Sequence, residues 1–328
     1  METLKSAISL MKPFSYFASC DLKDAYYSVN VAEQCRKYLR FFWGNICYQY
    51  TCLPNGLNLG PRYFTKLLKC AFSHLRKQGY LNTGFIDDSL LQGDTYEECV
   101  QNVQKTVKLF DDLGITFHPE KSAFIPTQII EFLGFVLNSV KMKVTLSNEK
   151  CKKIISLCQS ILDKEPLSVR DLAQLIGKFV ACSPAVPHAT VFYKRLEILR
   201  NKVLQVSKGN YDSVIHLTNA CREDIKWWIT NLPSCEKSVI TNDYNIALFT
   251  DSSLEGWGAV MNGKSTGGLW DINEKNNHIN YLELKAVLLA LQSFCKNMQD
   301  IHIRIRSDNT TTVICINKQG QVNQSLMT

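Results

Sequence analysis

Two adjacent aspartates, Asp87 and Asp88, interrupt the otherwise mostly apolar segment GFIDDSLL. Short β-like runs lie on both sides, so the pair is predicted to stand at the tip of a buried hairpin, where Asn-Gly or Asp-Gly would make the better turn. Neighbouring carboxylates repel each other, and a bound cation would remove that cost. In a random sequence such a pair is simply solvated, but the apolar flanks favour a cation site here.

Asp21 offers a third carboxylate. It ends the apolar β-like run of FASCDLKDAYYSV and is followed by a polar turn and aromatic residues. If the two strands are neighbours, Asp21 and Asp87 can share divalent cations, and oxygen ligands of this kind suit Mg²⁺. Two such ions, about 3.5–4 Å apart, activate an attacking oxygen and stabilise a leaving one. Polymerases use this arrangement to join a primer 3′-hydroxyl to an incoming nucleotide.

A second set of acids lies far along the chain. Asp251 ends a β-like run before a Gly-rich turn, Glu283 lies near the start of a helix, and Asp308 follows the alternating segment IHIRIRSD. Spacing alone does not show that these three side chains converge. Glu283 also has an alternative explanation, because Asn280 would make a helix N-cap with Glu283 at the third helical position.

The elements that must position these acids are predicted from periodicity and capping residues. GPRYFTKLLKCAFSHLRKQG and DTYEECVQNVQKTVKLFDDLG are predicted helices, the second with a capping box at Thr95 and a stop at Gly114. The segment IIEFLGFVL at 129–137 is predicted as a strand. The order strand, helix, hairpin, helix, strand describes an α+β domain with a half-covered antiparallel sheet. Residues 145–232 are predicted to be helical, and a second α/β unit begins at Ile246.

The segment LPNGLNLGPRYF lies between the first two acidic motifs. Gly56 and Gly60 permit close backbone approach just before a helix N-terminus, which is a natural place for a phosphate or a base pair. Taken alone the signal is weak, since Gly-Pro is common before a helix.

Composition limits the classes of protein to consider. The chain has 328 residues, enough for two or three domains, and its net charge of +7 favours a polyanionic partner only weakly. Thirteen scattered cysteines show no zinc-site spacing and suit a reducing compartment. The sequence has neither an apolar run long enough to cross a membrane nor a secretory signal. We therefore predict an intracellular protein of the cytoplasm or nucleus.

Five segments follow one another in the order of the palm motifs of reverse transcriptases, which the chain resembles. They are DLKDAYYSV, LPNGL with GPRYFTKLL, FIDD, LGITFHPEKS and EFLGF. The LPNG variant and HINYLELKAVLLAL look most like the DIRS-type retrotransposons, with the Ty3-like group next. TDSS, YLELKA and SDNTT resemble the ribonuclease H module that is fused to retroelement polymerases.

This resemblance implies an α+β fold with a right-hand polymerase palm, partial fingers and a helical thumb, followed by an α/β ribonuclease H-like domain that is truncated at its C-terminus. The implied domains are partial fingers and palm at 1–140, helical thumb and connection at 141–240, and the ribonuclease H-like domain at 241–328. In the helical part, Trp227 and Trp228 are expected to pack against the thumb rather than stack on bases.

The resemblance also implies roles for individual residues. Asp21 and Asp87 resemble the metal ligands of the family, and Asp88 resembles the second acid of its aspartate box. Lys121 would protonate the leaving pyrophosphate, although a solvated lysine is equally compatible with its position. Tyr26 would pack under the deoxyribose and exclude a 2′-hydroxyl, with a purely structural core aromatic as the alternative.

Other implied contacts involve template, primer and the second module. Asn55 and Gly56 lie where the family contacts the incoming nucleotide and the template. The segment FLGF resembles the primer grip, although any buried strand could have this sequence; the implied residues are Phe132, Leu133 and Gly134. In the second module the implied Mg²⁺ ligands are Asp251, Glu283 and Asp308.

The implied function is that of a retrotransposon RNA-directed DNA polymerase, which transfers a nucleotide from a dNTP to a primer 3′-hydroxyl. The implied cofactor is Mg²⁺, two ions per active site, with Mn²⁺ as a substitute. The implied partners are an RNA or DNA template, a primer strand, an RNA–DNA hybrid and dNTPs. A catalytically decayed retroelement fragment that only binds nucleic acid is the alternative.

Several features depart from the family pattern. FIDD lacks the tyrosine that begins the box in many relatives, and Asn55 stands where others carry Gln or Phe. No acid follows Asp308, so the fourth metal-binding acid of the ribonuclease H family is missing, and we expect this module to be weakly active or dead. With a short segment before Asp21, the chain looks like a fragment of a longer polyprotein.

Overall fold

The structure is a computed structural model that describes residues 2–239, 244–299 and 301–317. Its first part mixes strands and helices, with short 3₁₀ turns at Ala25–Ser28 and Lys37–Leu39. The elements are, in chain order, α1 (Leu4–Leu10), β1 (Tyr16–Asp21), α2 (Glu33–Arg36), β2 (Arg40–Trp43), β3 (Ile46–Gln49), α3 (Gly60–Lys77), β4 (Leu81–Phe85), β5 (Asp88–Gly93), α4 (Tyr96–Asp112), β6 (Ala123–Thr127), β7 (Ile129–Phe132), β8 (Phe135–Asn138) and β9 (Lys143–Leu146).

The remaining elements form a helical part and a second α/β part. The helical part contains α5 (Asn148–Asp163), β10 (Leu167–Ser168), α6 (Val169–Cys182), α7 (Val191–Val206), β11 (Val214–Ile215), α8 (Asn219–Asn231) and β12 (Glu236–Ser238). The second α/β part contains β13 (Ile246–Ser252), β14 (Gly256–Met261), β15 (Lys264–Leu269), α9 (Ile272–Lys275), α10 (Ile279–Phe294), β16 (Ile303–Arg306) and α11 (Thr310–Asn317).

A four-stranded antiparallel sheet, which we term the palm sheet after the predicted palm, carries the first set of acids. Its strand order is β4-β5-β1-β6, and β1 pairs with β5 so that Asp21 lies opposite Asp88. β4 and β5 form the predicted hairpin, whose turn contains Ile86 and Asp87. Ile86 has a φ of +58°, a left-handed conformation that is strained for a β-branched residue. The predicted proximity of the two acidic strands is confirmed.

Two amphipathic helices pack against this sheet. α3 has Pro61 in its first turn and buries one apolar stripe that includes Phe64, Leu68 and Phe72. α4 starts at the predicted capping box, in which Thr95 Oγ1 accepts a hydrogen bond from the Glu98 backbone N–H at 3.2 Å. It ends just before Gly114, whose φ is +73°. Both predicted helices are therefore confirmed.

The segment 129–137, predicted as one strand, is a hairpin instead. β7 and β8 pair from Ile129 with Asn138 to Phe132 with Phe135, and Leu133 and Gly134 make the turn with φ of +53° and +73°. Two residues at positive φ are what a tight hairpin turn requires. This hairpin belongs to a second four-stranded sheet, with the strand order β12-β9-β8-β7. The predicted domain line at 140 falls between two of its paired strands and stays a prediction.

The helical part is stabilised by stacked aromatic rings. Trp228 is fully buried and stacks on Phe179 with ring centroids 4.1 Å apart, while Trp227 stacks on Phe192 at 3.6 Å. The Trp228 indole N–H also donates to the Phe192 carbonyl at 3.0 Å. The expectation that both tryptophans pack in the protein is confirmed.

One hydrophobic core is shared by the palm sheet and the helical part. It runs from α1 and the palm strands, through the hairpin of β7 and β8, into α5, α6, α7 and α8; it contains Leu4, Phe17, Leu90, Leu137, Leu172 and Trp228 among others. Two smaller clusters lie between the palm sheet and helices α3 and α4. The second α/β part has separate clusters of its own.

A capping box at the start of α6 gives a pH-dependent prediction. Hydrogen bonds from Lys164 at 2.8 Å and from Ser168 Oγ at 2.7 Å lower the pKa of Asp171 from 3.8 to about 2. The Asp171 carboxylate therefore stabilises the folded protein fully above pH 3.8, and this contribution is lost as the pH falls towards 2. We expect Asp171→Asn to lower the free energy of unfolding by about 1 kcal/mol at neutral pH, measured by urea denaturation.

The matched control for this prediction is Lys153→Met, which removes an exposed ion pair with Glu149 on α5 and should change the stability little. The deficit of the Asp171→Asn protein relative to wild type should shrink as the pH is lowered from about 4. A deficit that stays constant over that range would show that the Asp171 charge contributes nothing.

The second α/β part is a mixed sheet with the order β15-β14-β13-β16. β13 pairs antiparallel with β14 and parallel with β16, and α10 packs against β13 and β14. The final segment GQVNQSLMT and four residues of the predicted boundary at 233–245 lie outside the described residues. Within the described ranges, no helix is both long and apolar enough to cross a membrane.

Candidate active site

The acids of the palm hairpin lie at the ends of the two central strands. Asp21 ends β1 and Asp88 begins β5, and the two residues lie opposite each other where these strands pair. The Leu22 N–H donates to the Asp87 carbonyl at 3.0 Å, which fixes the hairpin tip against the end of β1. Burial, the Asp87 carboxylate and Asp21 raise the pKa of Asp88 to about 6, and Lys121 acts in the opposite direction. The cluster therefore has excess negative charge in a half-buried place.

The segment HPEKS is held directly against Asp21. The Asp21 carbonyl accepts from the His118 N–H at 2.7 Å, and the Asp21 N–H donates to Ser122 Oγ at 3.0 Å. On the side of β1 opposite β5, these two bonds take the place of a pairing with β6 at Asp21. They also bring Lys121, which lies between the two bonded residues, to the acids.

A cavity of about 380 Å³ opens in front of these acids. Its walls contain five of the residues predicted from sequence: Asp21, Tyr26, Asn55, Asp87 and Lys121. The walls do not include Asp88 or Gly56. They do include residues that the sequence reasoning missed: Lys23, Asp24, Tyr27 and His118. His118 belongs to the quoted HPEKS motif, so the motif itself carried a signal for it.

Aromatic side chains shape one side of this cavity. Tyr26 packs edge-to-face on Phe64 of α3 with centroids 5.3 Å apart. Burial and, to a smaller degree, the Asp87 carboxylate raise the pKa of Tyr26. The Tyr27 hydroxyl accepts from Asn55 Nδ2 at 3.0 Å. The tyrosine pair therefore connects the first acidic motif to the LPNG loop, and the role of Tyr26 as a steric filter stays a prediction.

The FLGF turn lies outside the walls of that cavity. Phe132 and Phe135 are buried, and Leu133 and Gly134 form the half-buried corner between them. Lys150 of α5 places its Nζ 3.7 Å from the centre of the Phe135 ring. The Ser147 N–H, just before α5, donates to the Gly134 carbonyl at 3.1 Å. The turn is thus fixed to the first helix of the helical part, and its role as a primer grip stays a prediction.

The second set of acids converges although its members are far apart in the sequence. Asp251 of β13, Glu283 of α10 and Asp308 after β16 offer ligand oxygens that all lie within 4.8 Å of one another. Asp251 and Asp308 are exposed, whereas Glu283 is 3% exposed. In the described part of the chain this is the one group of three possible metal ligands at such spacing. The three carboxylates suit a hard divalent cation.

Glu283 is the member of this cluster that most needs a partner. Burial, followed by Asp251 and Asp308, raises the pKa of Glu283 to about 6. Its Oε2 is buried and has no hydrogen-bond partner within the described residues. A buried carboxylate oxygen without a hydrogen-bond partner, in a cluster with two other acids, is typical of a cation ligand.

The alternative capping role of Glu283 is wrong. The N-cap of α10 is His278, whose side chain accepts from the Asn280 N–H at 3.2 Å. Glu283 therefore lies at the fifth helical position, beyond the reach of a capping box.

Beside the cluster, a cavity of about 690 Å³ is bounded by Asp251, Asp308 and the exposed side of β13 and β14.

The chain is similar to known proteins both in sequence and in structure. The model of the family "Reverse transcriptase (RNA-dependent DNA polymerase)" matches residues 2–137. The chain is similar to the enzymatic polyprotein of figwort mosaic virus (strain DxS), at 22% identity over 99% of this chain and 48% of that protein. It is similar to the retrovirus-related Pol polyprotein from transposon 412 of Drosophila melanogaster, at 22% identity over 90% of this chain and 23% of that protein. The chain thus spans about half, or less, of the length of these relatives.

Solved structures of a viral protein share the fold. The foamy viral protease-reverse transcriptase dRH in complex with double-stranded DNA superposes with a TM-score of 0.62 at 17% identity, over 99% of this chain and 55% of that one. The foamy viral protease-reverse transcriptase in complex with an RNA/DNA hybrid gives a TM-score of 0.60 at 16% identity, over 97% of this chain and 43% of that one. The predicted polymerase fold with mixed α and β content is confirmed.

Proposed function

We propose that this chain is the RNA-directed DNA polymerase part of a retroelement polyprotein, because the reverse transcriptase family model matches residues 2–137 and the chain is similar to viral and transposon polyproteins. The reaction would extend a primer 3′-hydroxyl with a dNTP, on an RNA or DNA template. The finer assignment to DIRS-type elements, with Ty3-like elements next, rests on the LPNG variant and the HINYLELKAVLLAL segment alone. The proposal places the chain inside the cell.

The observation that carries this proposal is the cavity in front of the hairpin tip. It brings Asp21 and Asp87 together with Lys121, Tyr26 and Asn55, although these residues come from four separate segments. Carboxylate oxygens on adjacent strand ends fit a divalent cation. Asp21 and Asp87 would hold two Mg²⁺ ions, which supply an activated primer hydroxyl and stabilise the leaving pyrophosphate.

The other side chains of the cavity would orient the reactants. Lys121, on the same side as the acids, would hold a proton beside the pyrophosphate oxygen. The Tyr26 ring, supported by Phe64, would limit the space at the sugar. Asn55, anchored by the Tyr27 hydroxyl, would present the LPNG backbone to the nascent base pair, with Gly56 in the loop itself at a φ of +85°.

Primer extension by the purified chain tests this proposal directly. A labelled DNA primer is annealed to an RNA template and incubated with dNTPs and Mg²⁺ or Mn²⁺, and elongation is followed on a gel. The proposal expects metal-dependent elongation. A chain that binds the hybrid but never elongates the primer would favour the alternative of a decayed fragment that only binds nucleic acid.

The second acidic cluster supports a metal site in a ribonuclease H-like module. Asp251, Glu283 and Asp308 would hold Mg²⁺ there, and the orphaned Glu283 Oε2 is the observation behind this assignment. The ligand of this module would be an RNA–DNA hybrid, recognised through its groove shape and 2′-hydroxyls.

Glu283→Gln provides the prediction for this module. Without metal, the variant should be more stable than wild type by about 1 kcal/mol, because a buried carboxylate beside two acids is replaced by a neutral amide. With Mg²⁺ at about 100 times its dissociation constant, wild type should gain about 2.7 kcal/mol, and the variant much less. Thermal unfolding in EDTA and in Mg²⁺ measures both effects.

The control for this prediction is Glu255→Gln, which changes an exposed acid of the same module that pairs with Lys275. It should keep the wild-type response to Mg²⁺. An equal Mg²⁺ response in the Glu283→Gln protein would remove Glu283 from the set of ligands.

A further inference from the structure

The outer edge of β4 is covered by side chains. β4 is the edge strand of the palm sheet and pairs only with β5 in the described chain. On its free side, the Asn82 carbonyl and the Gly84 N–H are main-chain groups that need partners. Both find them in charged side chains rather than in another strand.

These charged side chains are Arg76 of α3 and Glu2, which together we term the edge clamp. Arg76 donates to the Asn82 carbonyl from Nε at 3.2 Å and from Nη2 at 2.9 Å. The same Nη2 lies 2.6 Å from Glu2 Oε1, and Glu2 Oε2 accepts from the Gly84 N–H at 2.8 Å. Each oxygen of Glu2 thus serves a different donor. The edge clamp imitates a neighbouring strand along this part of β4.

The edge clamp holds β4 immediately before the strained turn of the hairpin. Ile86, two residues after Gly84, has a φ of +58° and is followed by Asp87. A β-branched residue in this conformation is strained, and the strain persists only where the surroundings hold it. A Cβ on Gly84 would collide with the Phe72 ring, so this ring packs directly on the backbone of β4. The strand end is therefore held by both Phe72 and the edge clamp.

We propose that Glu2 and Arg76 are positioning residues, which hold the end of β4 in place so that the strained turn presents the Asp87 carboxylate to its cation. This inference rests on the proposed polymerase function. Neither residue lines the cavity in front of the acids, so both act through the strand and not on the reactants. Charge-assisted hydrogen bonds to the backbone are strong enough for such a role.

A small cavity next to the edge clamp makes the proposal testable by chemical rescue. It has a volume of about 240 Å³ and is bounded by both clamp residues, Lys69, Phe72, Gly84 and Ile86. In Glu2→Ala, the carboxylate that bridges Arg76 and Gly84 is gone, while both of its donors remain. Acetate is a carboxylate small enough to enter this cavity and take its place.

The experiment measures primer extension for wild type, Glu2→Ala and a control, all produced with the same N-terminal tag. The control is Lys12→Met, which removes an exposed 2.6 Å ion pair with Asp94 close to the same N-terminal helix. Glu2→Ala should lower kcat about tenfold and raise the Mg²⁺ concentration for half-maximal rate. Acetate should restore both values, whereas chloride at equal ionic strength should not. Lys12→Met should match wild type.

Two kinetic results would overturn this proposal: a Glu2→Ala protein with wild-type kcat, or a loss of kcat that acetate fails to restore. Amide hydrogen exchange at Gly84 gives a readout that needs no activity. Exchange should be about tenfold faster in Glu2→Ala and should slow again in acetate. If wild type extends no primer, the polymerase proposal fails, and unchanged Gly84 exchange in the variant separately defeats the edge clamp.

Discussion

Asp87→Asn is expected to reduce primer extension by about 10³-fold or more. Such a loss corresponds to about 4 kcal/mol of transition-state stabilisation, which is within the range that metal ions supply in phosphoryl chemistry. The exposed Asp87 carboxylate lines the cavity, whereas its backbone carbonyl holds the tip through the Leu22 N–H. Asparagine keeps the size and the backbone bond and removes the charge, so the fold should be unchanged. Single-nucleotide incorporation at saturating dNTP measures the effect.

The matched control is Asp112→Asn, at the exposed end of α4 and away from the cavity. It should extend primers like wild type. The Asp87→Asn protein should also bind a primer–template hybrid with wild-type affinity, which separates lost chemistry from lost binding. Normal extension by Asp87→Asn would mean that the cation site lies elsewhere and that the assignment of the hairpin is wrong.

Trp228→Ala is expected to cause the largest loss of stability, about 3–5 kcal/mol. The side chain is fully buried, and its ring is nearly parallel to Phe179, at an angle of 8°. Truncation leaves a cavity in the core that joins the helical part to the palm, and it leaves the Phe192 carbonyl without its donor. Urea denaturation followed by circular dichroism measures the free energy of unfolding.

Trp228→Phe is the matched variant for this prediction. It keeps an aromatic ring against Phe179 but loses the indole N–H. Its loss of unfolding free energy should therefore be much smaller than that of the alanine variant. A loss below about 1 kcal/mol for Trp228→Ala would mean that the neighbouring helices close the cavity at little cost.

Helix caps, apolar periodicity and glycine stops predicted the elements whose signals all lie within one short segment. The helix that begins at Thr95 is an example, since its cap, its apolar stripe and its glycine stop all lie within the segment itself. The hairpin at 129–138 was missed because its turn, Leu133 and Gly134, sits inside an apolar run that also suits a single strand. Gly134 was the one local sign of that turn.

The candidate sites depend on contacts between segments that are far apart in the sequence, which short-range patterns do not predict. The convergence of Asp251, Glu283 and Asp308 follows from a parallel strand pair and a helix packed across it, and the resemblance to a known module, not the spacing, suggested it. The predicted capping role of Glu283 was wrong because His278, and not Asn280, is the N-cap of this helix. The edge clamp had no signal in sequence, since Glu2 and Arg76 meet only after β4 has formed.

The shared core of the palm and the helical part has a consequence for how the chain comes apart. Phe17 and Leu90 of the palm sheet belong to the same cluster as Leu172 and Trp228, so these regions should melt as one cooperative unit. The second α/β part, with clusters of its own, is free to melt separately. A palm severed at residue 140 would expose one apolar side of its sheet, and proteolysis should therefore release the second part long before it divides the first.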